Sequence, residues 1–409
     1  MLRSLLLFLF VTARAEESPR QWTDSSGRSF EGSYVSTTAE KVSIRRSGDG
    51  KVFEVERAKL SQPDRDYITA LAERPPATKE EHERPEGPPP GFRPRGRIDD
   101  MLAGYDESKA NFGAPWPKNS GIPKPPPITV IEQNAAEKRF IYESPHFRIQ
   151  CDVALLQDLP VKIASILEAG FQAHQDLPFN NRRTRATAAP KLKVFLYRTI
   201  EDFRAAGGLP GTVGSYLASG DRLLVPLEGL GVKKSGSAYE FDFSAGFHNV
   251  LHELCHLLWA DIGNMAGIWM NEGFAEYISC APYDNLRFNF VRLPETALEF
   301  AIGSNKKLAS RSLGKEITMP HLQEFMSQSQ PEFYKDPNKN YGLGLLLVWY
   351  FITLDGDGSG ARFKAAIKAC QAGDRDEARR ALLGGRDYSQ LEKEFATALR
   401  NKGIAVTFQ

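Results

Sequence analysis

Cysteine is scarce in this sequence, with only four among its 409 residues. The spacings of Cys151, Cys255, Cys280 and Cys370 match neither a zinc finger nor a CxxC redox motif. We therefore expect these residues to be buried small side chains or disulfide partners, with several pairings open, and not catalytic thiols.

An excess of charge of either sign is also missing. The chain has 52 Lys and Arg residues against 51 Asp and Glu residues, which is a formal net charge of +1. Proteins that bind nucleic acids usually carry a strongly basic, clustered surface, so we predict no nucleic-acid partner. The hydrophobic fraction of 41% and the charged fraction of 25% are those of a globular protein. A chain of this length predicts about two or three domains.

Long apolar runs are absent beyond the N-terminus. The short apolar run at 4–12 follows Arg3 and precedes Ala13-Arg14-Ala15. This order of a positive charge, a short apolar run and a small-x-small site is typical of a signal peptide, predicted over 1–15. The run is shorter than the roughly 20 residues that cross a bilayer. We predict an exported protein (periplasmic, cell-envelope or secreted) that is not transmembrane after cleavage; an uncleaved N-terminal anchor is the alternative.

Residues 20–72 alternate in the manner of short strands and predict a small β-barrel. The segment has W-T-D-x-x-G-R-x-F at 22–30, K-V-x-I-R at 41–45 and L-S-x-x-D-x-x-Y-I at 60–68. This pattern resembles the Sla-homology domain, a small SH3-like barrel. The resemblance implies a binding or tethering module for a peptide or a cell-envelope ligand. A structural appendage without a ligand is the alternative.

Residues 73–128 are rich in proline and charge, which favours an extended linker over a folded core. From about 140 to 405 the pattern is that of an α/β region followed by helices. The predicted strands are 146–151, 191–197 and a hairpin at 215–226, and the predicted helices are 161–174, 244–260, one from Trp269 and one from Tyr341 to about Leu354.

The predicted helix at 244–260 carries His252-Glu253-Leu254-Cys255-His256. Residues four apart lie on one helical face, with about 5–6 Å between their Cβ atoms. Two imidazoles placed in this way can bind one Zn²⁺ from the same side. Glu253 is adjacent to the first histidine and can hold a water on the metal without binding the metal itself.

A second motif, Trp269-Met270-Asn271-Glu272-Gly273-Phe274-Ala275-Glu276-Tyr277, lies far enough downstream for the chain to turn back. A carboxylate from Glu272 would complete a set of two histidines and one glutamate, with a position left for water. Glu276, one helical turn later, can accept a hydrogen bond from the second ring nitrogen of His252. Asn271 can brace the two helices.

The pair H-E-L-C-H and N-E-G-F-A-E-Y resembles the gluzincin (clan MA) zinc metallopeptidases. The closest likeness is to the MA-like peptidase domains of secreted bacterial proteins, and a more distant one is to aminopeptidase N and thermolysin. The resemblance covers roughly 140–400 and implies an α+β fold with a small mixed sheet, the metal helix and a helical C-terminal part. It implies that His252, His256 and Glu272 bind a single catalytic Zn²⁺, that Glu253 is the base and that Glu276 supports His252.

The same resemblance points to Tyr341, because enzymes of the aminopeptidase type have a tyrosine that opens a later helix in a Y-x-x-G pattern and donates to the oxyanion. Tyr341-Gly342-Leu343-Gly344 has this form. A buried core aromatic is the alternative, and His321 is a rival donor. His248 lies eight residues before His256, too far for both to bind one zinc, so we expect a core or cleft-wall histidine.

The sequence lacks the G-x-M-E-N motif that binds a free substrate amine in aminopeptidases. This absence favours a zinc endopeptidase acting on a peptide or protein substrate, with the segment 214–225 as an edge strand for extended peptide. The alternative function is an exported cell-envelope binding or adaptor protein in which the zinc domain is a scaffold or a pseudoenzyme. Deletion of residues 16–125 separates the two: peptidase activity is expected to survive it under the first, and the main phenotype is expected to vanish under the second.

Overall fold

A computed structural model describes residues 20–24, 28–38, 40–46, 51–62, 64–65, 67–68, 100–156, 158–179, 181–209, 212–235, 238–241, 243–263, 265–304 and 310–409. The predicted signal peptide at 1–15 and residues 73–99 of the predicted linker lie outside these residues. The chain divides into two compact units, Met1–Arg93 and Pro94–Gln409. The described part has both helices and sheets, which confirms the predicted α+β class.

The first unit contains a four-stranded antiparallel sheet in the order β1-β2-β3-β4, where strands are predicted from the alternation. Its strands are β1 (Arg20–Thr23), β2 (Ser29–Thr37), β3 (Lys41–Arg46) and β4 (Val52–Glu56), followed by a 3-10 helix at Arg57–Lys59. Its small core is formed by Trp22, Val42, Ile44, Leu60 and Ile68. The indole Nε1 of Trp22 donates to the carbonyl of Gly32 at 2.9 Å, so the buried ring has its polar atom paired. The SH3-like likeness stays a prediction.

The second unit carries the remaining elements. Its strands are β5 (Asn119–Gly121), β6 (Thr129–Asn134), β7 (Arg139–Glu143), β8 (Phe147–Cys151), β9 (Leu192–Tyr197), β10 (Ser215–Leu217), β11 (Arg222–Pro226), β12 (Val232–Ser235), β13 (Ala238–Phe241), β14 (Tyr283–Asp284), β15 (Arg287–Asn289), β16 (Glu316–Met319) and β17 (Ala405–Phe408). Its α-helices are α1 (Leu159–Asp176), α2 (Arg182–Arg185), α3 (Ile200–Ala205), α4 (Phe243–Leu258), α5 (Ile268–Ser279), α6 (Leu293–Ile302), α7 (Leu322–Ser327), α8 (Gln330–Phe333), α9 (Pro337–Thr353), α10 (Ala361–Ala372), α11 (Arg375–Leu383) and α12 (Tyr388–Arg400). Two 3-10 helices lie at Glu107–Lys109 and Leu227–Leu230. None of the helices in the described ranges has both the length and the apolar character needed to cross a membrane.

A six-stranded mixed sheet in the order β10-β11-β9-β8-β7-β6 forms one layer of this unit. The strands β8, β9 and β11 run parallel, and β10 pairs antiparallel with β11 as the edge strand. Alternate residues of β8, among them Phe147 and Ile149, are buried in the core. The helix α1 joins β8 to β9, as a parallel pair requires a long crossover.

Helices α4, α5 and α9 form the other layer and carry the candidate residues. α5 lies against both α4 and α9. The backbones of α5 and α9 come close at Gly273 and Gly344: a Cβ atom on Gly273 would lie 2.4 Å from the carbonyl oxygen of Gly344. A Cβ atom on Gly344 would lie 2.8 Å from the carbonyl oxygen of Trp269. Only glycine at these two positions lets the helix backbones meet without displacement.

The observed boundaries differ from those predicted in two places. Residues from 100 to 128, predicted as part of the linker, belong to the second unit. The ring of Trp116 packs 4.9 Å from that of Phe179, and β5 pairs with β15. An aromatic anchor and a short strand therefore fold this proline-containing segment onto the unit, ahead of the predicted start at 140. The helix α9 begins at Pro337, so Tyr341 lies one turn inside it.

All four cysteines are free, and three of them are buried. Burial raises the pKa of Cys151 to about 12 and raises those of Cys255 and Cys280 well above their ordinary value. Thiols of this kind stay protonated at neutral pH and are poor nucleophiles. The expectation of buried small side chains is confirmed for Cys151, Cys255 and Cys370.

Asp261, in the turn after α4, supplies a prediction about stability. Both of its carboxylate oxygens are enclosed without a hydrogen-bond partner in the described part of the chain. Burial raises its pKa to about 6, against the positive charges of Arg182 and Arg183. Because the folded pKa exceeds the ordinary 3.8, ionisation of Asp261 costs stability as pH rises through about 6. We expect Asp261→Asn to raise the free energy of unfolding at neutral pH by about 1–2 kcal/mol.

Urea unfolding measured across the pH range checks this expectation. The gain in the free energy of unfolding of Asp261→Asn should vanish below the ordinary Asp pKa of 3.8, where Asp261 is protonated in the folded and the unfolded state. A gain that is the same at every pH would show that the charge of Asp261 is not the cause.

Candidate metal centre

Three candidate ligands converge where α4 and α5 run side by side. Nε2 of His252 lies 3.1 Å from Nε2 of His256, and each of these nitrogens lies 3.2 Å from Oε2 of Glu272. The three atoms form a nearly equilateral triangle. Within the described ranges, these side chains are the group that could hold a metal ion. The structure thus brings together the three ligands predicted from the sequence.

The size and the chemistry of this triangle fit zinc. In a tetrahedral site with bonds of about 2.0–2.2 Å, neighbouring ligand atoms lie roughly 3.3–3.6 Å apart. The observed separations of 3.1–3.2 Å are only slightly shorter. Two imidazoles and one carboxylate are a donor set of catalytic zinc sites, in which water or substrate takes the fourth position.

Glu276 lies behind His252 and is fully buried, with 0% of its surface exposed. Its Oε1 lies 3.0 Å from Nδ1 of His252, the two atoms between which the sequence predicts a hydrogen bond. Arg311 pairs with both of its oxygens, at 2.5 Å from Nη2 to Oε1 and 2.8 Å from Nε to Oε2. Nε2 of His248 lies 3.6 Å from Oε2. Glu276 therefore contacts one candidate ligand, His252, and two further basic side chains, Arg311 and His248.

The charges of the centre favour a divalent cation. Burial lowers the pKa of His252, but its interactions with Glu272 and Glu276 raise it to about 10. Burial raises the pKa of Glu272, but the charge of His256 and the hydrogen bonds with both histidines bring it below the ordinary value. The pKa of Glu276 is likewise lowered, so the carboxylates of Glu272 and Glu276 both remain ionised at neutral pH. A cation that binds here must displace the proton on His252, so its affinity will depend on pH.

The predicted base, Glu253, lies at the edge of the large sheet. The backbone N–H of Tyr216 in β10 donates to Oε2 of Glu253 at 2.8 Å. A Cβ atom on Gly214 would lie 2.8 Å from Cγ of Glu253, so the glycine permits this close approach. The carboxylate is thus held between the metal helix α4 and the edge strand.

A chain of hydrogen bonds ties this edge strand to the far end of α4. The hydroxyl of Tyr216 donates to Oδ1 of Asp221 at 3.0 Å. The buried guanidinium of Arg183 binds both carboxylate oxygens of Asp221, with 2.9 Å between Nη1 and Oδ1. Nη1 of Arg183 also donates to the carbonyl of Leu257 in the last turn of α4, at 2.5 Å. The hairpin that contacts Glu253 is therefore anchored to the same helix at two points.

Two tyrosines lie beside the ligands. The ring of Tyr341 is 5.7 Å from that of His252, and Cζ of Arg311 lies 4.7 Å from the centre of the Tyr341 ring. The hydroxyl of Tyr334 donates to Oε1 of Glu272 at 3.0 Å and interacts with the hydroxyl of Tyr341. Burial, with the nearby negative charge of Glu272, raises the pKa of both tyrosines. Both hydroxyls therefore stay protonated and can act as donors.

The other predicted residues lie further from the triangle. Asn271 lies against the turn after α4, where a Cβ atom on Gly263 would be 2.8 Å from its Oδ1. Asn271 thus contacts the turn that follows α4, and a bracing role for it stays a prediction. His248 stacks on Phe300 and contacts Glu276. Nδ1 of His321 lies 3.1 Å from Oε1 of Glu392, on an exposed surface.

Sequence reasoning missed Arg311, Tyr334 and the backbone of Tyr216. Arg311 and Tyr216 lie outside the two motifs, and no spacing rule connects them to the histidines. The one available signal for Tyr334 is its position ahead of Tyr341, in a short aromatic pair with Phe333. These contacts arise from the way loops and an edge strand fold over α4 and α5.

The centre combines three side chains that could hold a cation, a carboxylate beside them and tyrosine hydroxyls on neighbouring elements. Such a set can activate water and stabilise negative charge that develops on a substrate oxygen. A separate cavity of about 240 Å³ is lined by Ala135, Lys138, Phe140, Asp152, Val153, Ala154, Arg198 and Asp202, none of which belongs to the centre.

No protein-family model, curated protein or solved structure matches this chain at a significant level.

Proposed function

We propose that the second unit is a zinc-dependent peptide-bond hydrolase of the gluzincin type that cuts internal bonds of a peptide or protein. The observation that carries the proposal is the triangle of ligand atoms formed by His252, His256 and Glu272. Its donor set is that of catalytic zinc sites, and Glu253 lies on the same helix as the two histidines.

Bound Zn²⁺ supplies Lewis-acid chemistry, lowering the pKa of a water and polarising a carbonyl. The carboxylate of Glu253 accepts a proton from the attacking water, whose oxygen adds to the carbonyl carbon of the peptide bond. Tyr341 donates a hydrogen bond to the oxygen that gains negative charge. Glu253 then returns the proton to the amine nitrogen as the C–N bond breaks, so atoms and protons balance.

The edge strand β10 supports the choice of an extended peptide as substrate. In an antiparallel strand, the N–H and the C=O of one residue point to the same side. The N–H of Tyr216 points toward Glu253, so the outer side of β10 runs along the metal helix. A peptide that adds to this edge as a further strand takes over the N–H of Tyr216 from Glu253 and lies beside the base, without a fixed chain end.

Two further parts of the proposal concern the whole chain. The protein is exported, as the N-terminal sequence predicts, and it acts in the periplasm, in the cell envelope or outside the cell. The first unit binds a peptide or a cell-envelope ligand and tethers the hydrolase near its substrate.

Metal analysis and peptide digestion of the full chain test the proposal. We expect one zinc per chain in the wild type and little in His256→Ala, which removes one corner of the triangle. A peptide mixture should be cut at internal bonds, with activity lost on chelation and restored by zinc. Absence of stoichiometric zinc would reject the metal hydrolase, and release of N-terminal residues alone would reject the endopeptidase.

A further inference from the structure

Tyr334 makes an unexpected contact with the metal centre. It follows the short helix α8 and donates its hydroxyl to Oε1 of Glu272 at 3.0 Å. The residue is 38% exposed. Its ring is only partly enclosed, against Phe333 and Tyr341, whereas its hydroxyl makes a specific contact with a candidate ligand.

The two oxygens of Glu272 have different partners. Oε2 lies 3.2 Å from each of the two histidine nitrogens and forms the third corner of the triangle. Oε1 accepts the hydrogen bond from Tyr334. A carboxylate whose second oxygen is engaged in this way presents one oxygen to a cation, and it loses that hydrogen bond if it turns to present both.

The position of Tyr334 is set by the segment around it. The amide Nδ2 of Asn340, next to Tyr341, donates to the carbonyl of Phe333 at 2.7 Å. Phe333 is fully buried, and its ring lies 5.7 Å from that of Tyr341. The turn that carries Tyr334 is therefore fastened to α9, and the hydroxyl is held in place before any ligand arrives.

We propose that Tyr334 is a positioning residue that keeps Glu272 a one-oxygen zinc ligand. One-oxygen ligation leaves a position for water or substrate, whereas two-oxygen ligation fills it. Partners of this kind commonly contribute 10–100-fold to metal affinity. The inference rests on the proposed zinc function but concerns the ligand geometry, which can be measured without any substrate.

The test compares Tyr334→Phe with two matched variants in the full chain. Zn²⁺ affinity is measured by competition with a chromophoric chelator, and the absorption of the Co²⁺-loaded chain reports the number of ligands. We expect Tyr334→Phe to weaken Zn²⁺ binding about 10–100-fold and to lower the intensity of the Co²⁺ bands as a second carboxylate oxygen binds. Tyr341→Phe removes a neighbour of the Tyr334 hydroxyl but not the bond from Tyr334 to Glu272, so it should lower kcat and leave the Co²⁺ bands unchanged.

Tyr350→Phe controls for the loss of a buried tyrosine hydroxyl, since Tyr350 donates to Asp355 at 3.4 Å, away from the ligands. It should change neither readout. Unchanged Zn²⁺ affinity and an unchanged Co²⁺ spectrum in Tyr334→Phe would overturn the inference even if the wild type cleaves peptides. Weaker binding together with weaker Co²⁺ bands in Tyr334→Phe would uphold it even if the wild type cleaves none. Unchanged Co²⁺ bands would overturn it whatever the affinity, because Tyr334 would then not set the number of carboxylate oxygens bound.

Discussion

Replacement of Glu253 by glutamine is expected to lower kcat on any cleaved peptide by about 10²–10⁴-fold, because the side chain can no longer accept a proton. The zinc content should not change, since the three ligand atoms belong to other residues. The position of the side chain should also persist. The hydrogen bond from Tyr216 N–H ends on an oxygen of Glu253, and glutamine keeps one oxygen to accept it.

Glu295→Gln is the matched control. It makes the same chemical change on α6, where the Glu295 side chain is 67% exposed. It should leave kcat and zinc content unchanged. Full activity of Glu253→Gln on every substrate would remove Glu253 from the role of base. Loss of zinc in Glu253→Gln would mean that the variant disturbs the metal site itself.

The second large effect concerns stability. Arg311→Ala is expected to lower the free energy of unfolding of the zinc-free chain by about 3 kcal/mol, because it leaves a buried carboxylate without its bidentate partner. Arg311 is the closest cation to Glu276, and its side chain is only 22% exposed. His252 and His248 remain near the carboxylate, so the loss should stay below that of a wholly uncompensated charge.

Urea unfolding at several pH values measures this loss. Burial raises the pKa of Glu276, but His248, His252 and Arg311 hold it well below the ordinary value of 4.5. A carboxylate with a lowered folded pKa stabilises the protein above its unfolded pKa and loses that contribution as pH falls. The difference in the free energy of unfolding between the wild type and Arg311→Ala should therefore shrink as the pH falls below about 4.5.

Arg362→Ala supplies the comparison for this variant. Arg362 also pairs with a buried carboxylate, that of Asp355, at 2.7 Å. Asp355 keeps a second guanidinium, since Nη1 of Arg386 lies 2.8 Å from its Oδ1. We expect a loss of only about 1 kcal/mol, in the range of a single hydrogen bond. Equal losses in the two variants would contradict the view that Glu276 depends on Arg311.

The three candidate ligands were predictable because residues close to each of them in the sequence identify them. Helical periodicity alone puts His252 and His256 on one face, and the second motif supplies Glu272 on the next helix. The hairpin at 215–226 and the strand at β9 were predictable for the same reason, since alternation and a turn at Gly220-Asp221 suffice. Such features depend on residues within about one element of each other.

Contacts between distant segments were not predictable. Tyr334 contacts Glu272, which lies 62 residues earlier in the sequence. Arg311 contacts Glu276, which lies 35 residues earlier. Both lie in segments whose path cannot be predicted from periodicity. The folding of residues 100–128 onto the second unit depends on Trp116, whose isolated ring in a proline-rich stretch offers no pattern. One sequence alone does not indicate which distant segments will meet.

The glycine contact between α5 and α9 bears on how this centre can change over evolutionary time. Gly273 belongs to the motif that carries Glu272, and Gly344 belongs to the Y-x-x-G pattern that begins at Tyr341. Main-chain atoms of the two helices are in contact there, so the distance between α5 and α9 at this point is set by the backbone. We expect a larger residue at either glycine to push the two helices apart and so to change the distance from Glu272 to Tyr341. The geometry of the centre should therefore be more sensitive to a substitution at Gly273 or Gly344 than its distance from the candidate ligands alone would suggest.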